Sequence, residues 1–403
     1  MRVTLALLTS GLIVGCLTLV AGALTRDDTK GVPASAITWK KIVIDTKFRS
    51  EGVAIADVNN DGKKDLIVGD FWYEAPDWKP HVLRTSKAPD GYDPQRYSDC
   101  MLCFAGDFNG DGWQDALVIG FPGQPAMWYE NPKDPAKPWI EHPVWRSACN
   151  ESPIFVDLFG DGKLVLVMGI QPEGQMCWFA PSGDGSKPWE PHPISGEKSP
   201  GTQPFSHGLG MGDVNKDGRM DIICKDGWWE QPPEGRAATK PWTWHPAPLG
   251  EDCSNMFAQD LDGDGLPDVI SASAHKRGIW WHKQLASKDK PGEQFQKFDI
   301  FGDVTQTHAV CQADINSDGK LDLITGKRWW AHGPRGDVDP NGKAALYWFE
   351  IVPGGTPTFI AHLIDDDSGV GTQFSVGDVD GDGLLDVAIA NKKGVFLLLQ
   401  QRK

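Results

Sequence analysis

The chain is short of positive charge. Its 403 residues carry 39 Lys and Arg against 55 Asp and Glu, a formal net charge of −16. An acidic surface repels phosphate backbones, and no basic patch interrupts it, so no nucleic-acid partner is expected. Long apolar runs are missing beyond the first two dozen residues, so no later segment is expected to span a bilayer. No Ser/His/Asp arrangement, phosphate-binding glycine loop or dinucleotide fingerprint is present, and hydrolase and nucleotide readings have no support. Cysteine is sparse, eight in all, with Cys16 in the N-terminal apolar run. The other seven are an odd number and cannot all pair within the chain. Most read as small buried residues of packed strands. Cys100 and Cys103 form a CxxC on a predicted strand, where residues three apart point to opposite faces.

The N-terminus reads as a targeting segment. Met1-Arg2 is a short positive region, Val3 to Val20 is apolar, and Ala21-Gly22-Ala23 has the small-x-small form of a cleavage site. Residues 1–23 are expected to be a signal peptide and residues 24–35 a linker. Ile13-Val14-Gly15-Cys16 resembles a bacterial lipobox, so a lipid anchor at Cys16 is the alternative, with a retained membrane anchor third. These readings place the mature protein outside the cytoplasm: secreted, periplasmic or at the cell surface.

Glycine (46) and proline (30) are abundant and spread along the chain, which marks frequent turns. They punctuate a repeat. Asp57-Val-Asn-Asn-Asp-Gly-Lys-Lys-Asp65 is its first copy. Others start at Asp107, Asp157, Asp213, Asp260, Asp314 and Asp378, at spacings of 50, 50, 56, 47, 54 and 64 residues. Each loop is followed by a β-rich run and an aromatic strand such as Trp72-Tyr-Glu74 or Trp228-Trp-Glu230. A fourth strand follows, such as Trp78-Lys-Pro-His-Val82. Four short strands repeated seven times indicate an all-β, seven-bladed β-propeller over residues 36–403. The last repeat lacks a fourth strand, and Ile37 to Ile44 can supply it, closing the ring and removing a free sheet edge. A monomer is expected.

The loops carry the oxygen donors that calcium prefers. Positions 1, 3, 5 and 9 supply side chains, position 7 a carbonyl, and the Gly at position 6 the sharp turn. Six copies have all four side-chain ligands: Asp57, Asn59, Asp61, Asp65; Asp107, Asn109, Asp111, Asp115; Asp213, Asn215, Asp217, Asp221; Asp260, Asp262, Asp264, Asp268; Asp314, Asn316, Asp318, Asp322; and Asp378, Asp380, Asp382, Asp386. The third keeps Asp157 and Asp161 but has Phe159 and Val165, and is expected to be empty or weak. About six structural Ca²⁺ are implied. No bidentate Glu stands at position 12 and β-rich sequence flanks the loops, which excludes an EF-hand.

These loops, in their number and spacing, resemble the FG-GAP/VCBS repeat family, the propeller also seen in integrin α subunits. Clean Phe-Gly and Gly-Ala-Pro signatures are lacking. The resemblance therefore implies fold and calcium more than adhesion, and an interaction scaffold is one functional reading it leaves open.

Positions about six residues before each first Asp should lie at the far end of the innermost strand, near the central channel. They are Glu51, Met101, Glu151, His207, Ser254, His308 and Thr372. Loops between second and third strands should open on the same face, contributing Asp226, His275 and the hairpin from Gly326 to Pro340 with Lys327, Arg328, Trp329, Trp330 and His332. Such groups could hold a second kind of divalent metal, act as acids and bases, or bind a carbohydrate or similar polar ligand. The plain alternatives are strand-end caps and a water-filled polar channel. Ser206-His-Gly-Leu-Gly210, His275, Gln306-Thr-His308 and the long hairpin are similar to propellers related to aldos-2-ulose dehydratase. That likeness implies a sugar lyase, with a metal on some of His207, His275, His308 and His332 and with Glu51 or Glu151 as base.

Overall fold

The computed structural model describes residues 31–290 and 292–403. The expected signal peptide, its cleavage site and Cys16 lie outside the described residues. Within them there are 28 strands, two single-turn 3-10 segments and no α-helix. No helix among them is long and apolar enough to cross a membrane.

The strands run as antiparallel groups of four. β1 (Ile37–Asp45) stands apart in sequence from the sheet it completes. The first repeat forms β2 (Ala54–Ala56), β3 (Asp65–Val68), β4 (Phe71–Glu74) and β5 (Lys79–Val82). The second forms β6 (Leu102–Gly106), β7 (Asp115–Ile119), β8 (Ala126–Glu130) and β9 (Ile140–Trp145). The third forms β10 (Ile154–Val156), β11 (Val165–Ile170), β12 (Gln175–Phe179) and β13 (Pro191–Pro193). The fourth gives β14 (Leu209–Gly212), β15 (Asp221–Cys224), β16 (Gly227–Glu230) and β17 (Thr243–Pro246). The fifth gives β18 (Asn255–Gln259), β19 (Asp268–Ala272), β20 (Arg277–Gln284) and β21 (Phe295–Thr305). The sixth gives β22 (Val310–Ala313), β23 (Asp322–Gly326), β24 (Leu346–Val352) and β25 (Thr358–Asp365). The seventh gives β26 (Ser375–Gly377), β27 (Asp386–Asn391) and β28 (Gly394–Arg402).

β1 pairs antiparallel with β28 from Ile37↔Arg402 to Asp45↔Val395, the pairing expected of the N-terminal strand. The fold is a β-propeller arrangement of four-stranded units. Five of the sheets are separate, and one has eight strands, because β14 and β18 pair in parallel. Glycine makes that junction possible. A Cβ on Gly210 would stand 1.8 Å from the Met256 carbonyl oxygen, and one on Gly212 2.5 Å from Ala258 Cβ.

Burial falls from the centre outward. Innermost β2 and β10 and second strands such as β7 and β11 are buried throughout, because neighbouring sheets cover both faces. Fourth strands such as β5 and β25 are largely open to solvent. The central cavity is walled by Leu102, Phe104, Phe155, Met211, Phe257 and Phe374 among others, so the channel is apolar and not a water-filled polar bore. Third-strand tryptophans are core: Trp72, Trp128, Trp178, Trp228, Trp280 and Trp348 are all buried. Five of them carry a stacked fourth-strand histidine at 3.9–4.3 Å: His81, His142, His192, His245 and His362.

In six of the seven loops the ninth residue, an Asp, fastens the loop to its own sheet. Asp65 accepts the Val58 N–H (2.9 Å) and the Ala75 N–H (2.8 Å). Asp115, Asp221, Asp268, Asp322 and Asp386 repeat the pattern. A neighbouring amide side chain then reaches the preceding repeat: Asn131 to Val58 O, Gln231 to Leu158 O, Gln284 to Val214 O and Gln400 to Ile315 O.

The cysteines Cys100, Cys103, Cys149, Cys177, Cys224 and Cys253 are buried free thiols. Cys100 precedes β6 and does not lie within it, so it does not face away from Cys103 as an unbroken strand would require. The two side chains hydrogen bond to each other.

Candidate metal and ligand site

Four of the five histidines outside the rim stacks converge at one end of the channel. The Nε2 atoms of His207 and His308 are 3.2 Å apart, and those of His207 and His275 3.0 Å apart. Glu151 Oε2 lies 3.2 Å from His308 Nε2 and 3.6 Å from His207 Nε2. His207 Nδ1 is 2.8 Å from the Phe205 carbonyl oxygen. A carbonyl can only accept, so Nδ1 carries a proton and Nε2 is the nitrogen turned to the cluster. Burial lowers His308 well below its ordinary range, with Arg328 adding to the effect. Burial and the neighbouring His207 push His275 down to about 4. The His275 and His308 rings are therefore neutral at pH 7. Burial pushes the Glu151 carboxyl up, but the His207 and His308 imidazoles beside it outweigh that and hold it below the usual carboxylate range.

Imidazole nitrogens this close either share protons with one another and with Glu151 or hold an ion between them. Donors about 2.0–2.1 Å from one metal ion sit roughly 3–3.5 Å from each other. The observed spacings fit that, and the Phe205 carbonyl is the outer-shell partner that fixes a ligating histidine.

The remaining expected residues divide. Glu51 lies at the mouth but is paired with the Arg328 guanidinium, and both are buried. Lys327 and Arg328 are 2% and 1% exposed, so they brace the hairpin from inside and do not present it to a ligand. Lys327 bonds Thr305 Oγ1 and the Asp339 carbonyl. Trp329 stacks on Trp330 at 4.0 Å under Lys393. Asp226 pairs with its neighbour Lys225 and is not brought to the histidines by any contact seen. Ser254 and Thr372 bond backbone carbonyls of adjoining repeats. His332 joins the mouth, its ring 4.7 Å from that of His275.

Three contributors were not read from the sequence. Asp337 accepts both the Nδ1 (2.8 Å) and the backbone N–H (2.9 Å) of His332. Tyr97 sets its ring edge-on to His332, and Lys392 stands 4.7 Å over that ring. Asp337 had a signal, as an acid inside an oversized hairpin; Tyr97 and Lys392 had none.

The Asp-rich loops lie at the other ends of the inner strands. At position 6 the glycines Gly62, Gly112, Gly218, Gly265, Gly319 and Gly383 have φ between 83° and 90°, with open space around a would-be Cβ, so backbone conformation alone demands glycine. Donor oxygens of Asp260, Asp262 and Asp264, and of Asp378, Asp380 and Asp386, lie within 4.8 Å of one another. Hard oxygen donors at that spacing fit calcium.

The third loop does not fit it. Arg236, from the following repeat, grips Asp161 through Nε (2.6 Å) and Nη2 (2.9 Å) and takes the Lys163 carbonyl (2.8 Å). Its guanidinium lies 4.5 Å over Phe159. The donors at positions 5 and 7 are thus occupied by an internal cation.

The FG-GAP-like repeat family matches residues 260–325, and the FG-GAP repeat family matches residues 370–395. The chain therefore contains FG-GAP repeats. No curated protein matches it. Among solved structures it is similar to an Agrocybe aegerita lectin that recognises non-reducing terminal N-acetylglucosamine. The identity is 18%, over 82% of this chain and 81% of that one, with a TM-score of 0.47. The exotype rhamnogalacturonan lyase YesX is 13% identical over 91% and 75%, with a TM-score of 0.43. A PQQ-bound aldose sugar dehydrogenase from Streptomyces coelicolor is 14% identical over 76% and 96%, with a TM-score of 0.36.

Proposed function

We propose that the protein is a secreted, calcium-binding propeller of seven blades that holds a divalent transition metal at its channel mouth and binds a carbohydrate or similar oxygen-rich ligand there. The eight-stranded sheet supports the count of seven, since it divides at the β14–β18 junction into two four-stranded meanders like the other five. Residues 1–23 serve as the signal peptide. Six loops hold structural calcium and the third does not.

The observation that carries the functional reading is the convergence of three imidazole nitrogens and the Glu151 carboxylate within 3.0–3.6 Å of their neighbours. A divalent metal held at this mouth would polarise the oxygen of a ligand that reaches it. The chain's own groups exclude bulk water from its inner side, where His207, His308 and Glu151 are all buried. A second reading, metal-assisted elimination on a sugar, is favoured by the Asp337–His332 pair beside the same cluster. Glu151 then fits a ligand's role and Glu51 a partner of Arg328, which leaves neither carboxylate free as a base.

Elemental analysis of the purified protein tests the reading. Zinc, manganese or a similar metal should accompany calcium, and His207→Ala/His308→Ala should lose it while keeping calcium. Calcium alone in the wild-type protein would sink it.

A further inference from the structure

We infer that the channel mouth has two metal positions sharing the His275 imidazole, and that the outer one is where the ligand binds. This rests on the metal reading above and deepens it.

The inner position is closed. His207, His275 and His308 offer one nitrogen each within 4.8 Å of one another, and the Glu151 carboxylate stands against two of them, 3.2 Å from His308 and 3.6 Å from His207. The side chains of His207, His308 and Glu151 are 5%, 0% and 7% exposed. Three imidazoles walled in by a buried carboxylate leave no face for a ligand, which describes a metal that holds structure; a metal that meets substrate keeps a position open to it.

The outer position has that second form. His275 turns its Nε2 inward, so its Nδ1 faces away from the inner cluster. That nitrogen is buried and has no hydrogen-bond partner. Its nearest acid, Asp337 Oδ1, is 3.9 Å away, beyond hydrogen-bond reach. The same oxygen is 2.8 Å from His332 Nδ1. His275, His332 and Asp337 therefore present one donor atom each within 4.8 Å of one another. A cation between them gives the orphaned nitrogen a partner. Two imidazoles and one carboxylate suit zinc, manganese or iron. His332 is 38% exposed, so this position opens to solvent where the inner one does not. Oxygen atoms of a polyhydroxylated ligand would complete it.

Sharing His275 requires its neutral ring to lose the remaining proton to solvent as the second metal binds. The competing arrangement is a single metal, with Asp337 closing on His275 N–H only to orient it.

Metal content of the calcium-loaded protein separates the two. Saturated with copper(II), the wild-type chain should hold two copper ions, with an EPR signal broadened or quenched by coupling through the shared ring. Asp337→Asn and His332→Ala should each hold one and show an uncoupled signal. One copper in the wild type and in both variants overturns the shared position while leaving the inner metal standing. None in the wild type overturns the metal reading as well.

Discussion

His282 occupies the position at which other repeats place Glu74, Glu130, Glu230 and Glu350 after the third-strand tryptophan. Those glutamates meet rim histidines. In the fifth repeat Lys297 stands over Trp280 at 3.7 Å instead, and His282 is buried with its Nε2 2.8 Å from Ser271 Oγ. Burial holds its pKa down to about 4. In the unfolded chain a histidine titrates near 6.5. Between those values the unfolded state takes up a proton that the folded state refuses. The stability His282 contributes is therefore full above pH 6.5 and is lost as pH falls toward 4, by about 1.4 kcal/mol per unit. Urea unfolding at pH 5 and pH 7.5 should show a smaller pH difference for His282→Gln than for the wild type. Equal differences would remove His282 as the source.

At the scale of elements, the third loop shows how a degraded repeat is repaired. Arg236 supplies one fixed positive charge in the loop that has Phe159 and Val165 where the others have oxygen donors; Lys63, Lys133, Arg219, Lys283 and Lys320 also reach position-5 carboxylates, but in loops that keep all four side-chain donors. Its grip on Asp161 is bidentate and its face covers Phe159, so Arg236→Gln should cost about 1 kcal/mol. Denaturant midpoints should fall equally in calcium and in chelator; a loss seen only with calcium present would contradict the substitution. Strands and loops were legible from the chain because each repeat states its own turn: Asp and Asn at alternate positions, Gly at the sixth, an apolar run after the ninth. What was not legible depends on partners far away in sequence. Lys327 and Arg328 look like ligand-facing cations in an exposed hairpin, yet Arg328 finds Glu51 277 residues away. The β14–β18 junction follows from Gly210 and Gly212, whose role emerges only when Met256 and Ala258 are placed beside them. The histidines that the structure brings together stood out in the chain because the regular repeat made their departures visible. Asp337 was passed over because an acid in a polar hairpin resembles any other.

For the whole molecule, charge and calcium belong together. Six bound Ca²⁺ would bring −16 to about −4 by addition. The loops form one end of every inner strand, so their carboxylates repel across a small radius when unneutralised. Removing calcium with a chelator should lower the melting temperature by on the order of 10 °C. An unchanged melting temperature would rule out a structural role for the ion.

The pairing of β1 with β28 imposes an order on assembly. The β2–β5 sheet and its counterparts up to the sixth repeat draw their strands from one stretch of sequence and can form as soon as that stretch collapses. The sheet of β26, β27 and β28 cannot be completed this way, because Ile37 must find Arg402 across the rest of the chain. Contacts of such separation form late. Until then β28 presents a bare edge, and the disc stays a split ring whose central wall can still flex. If closure comes last, the mouth reaches its final width only then, and the spacing of His207, His275 and His308 belongs to the closed ring and not to any one repeat.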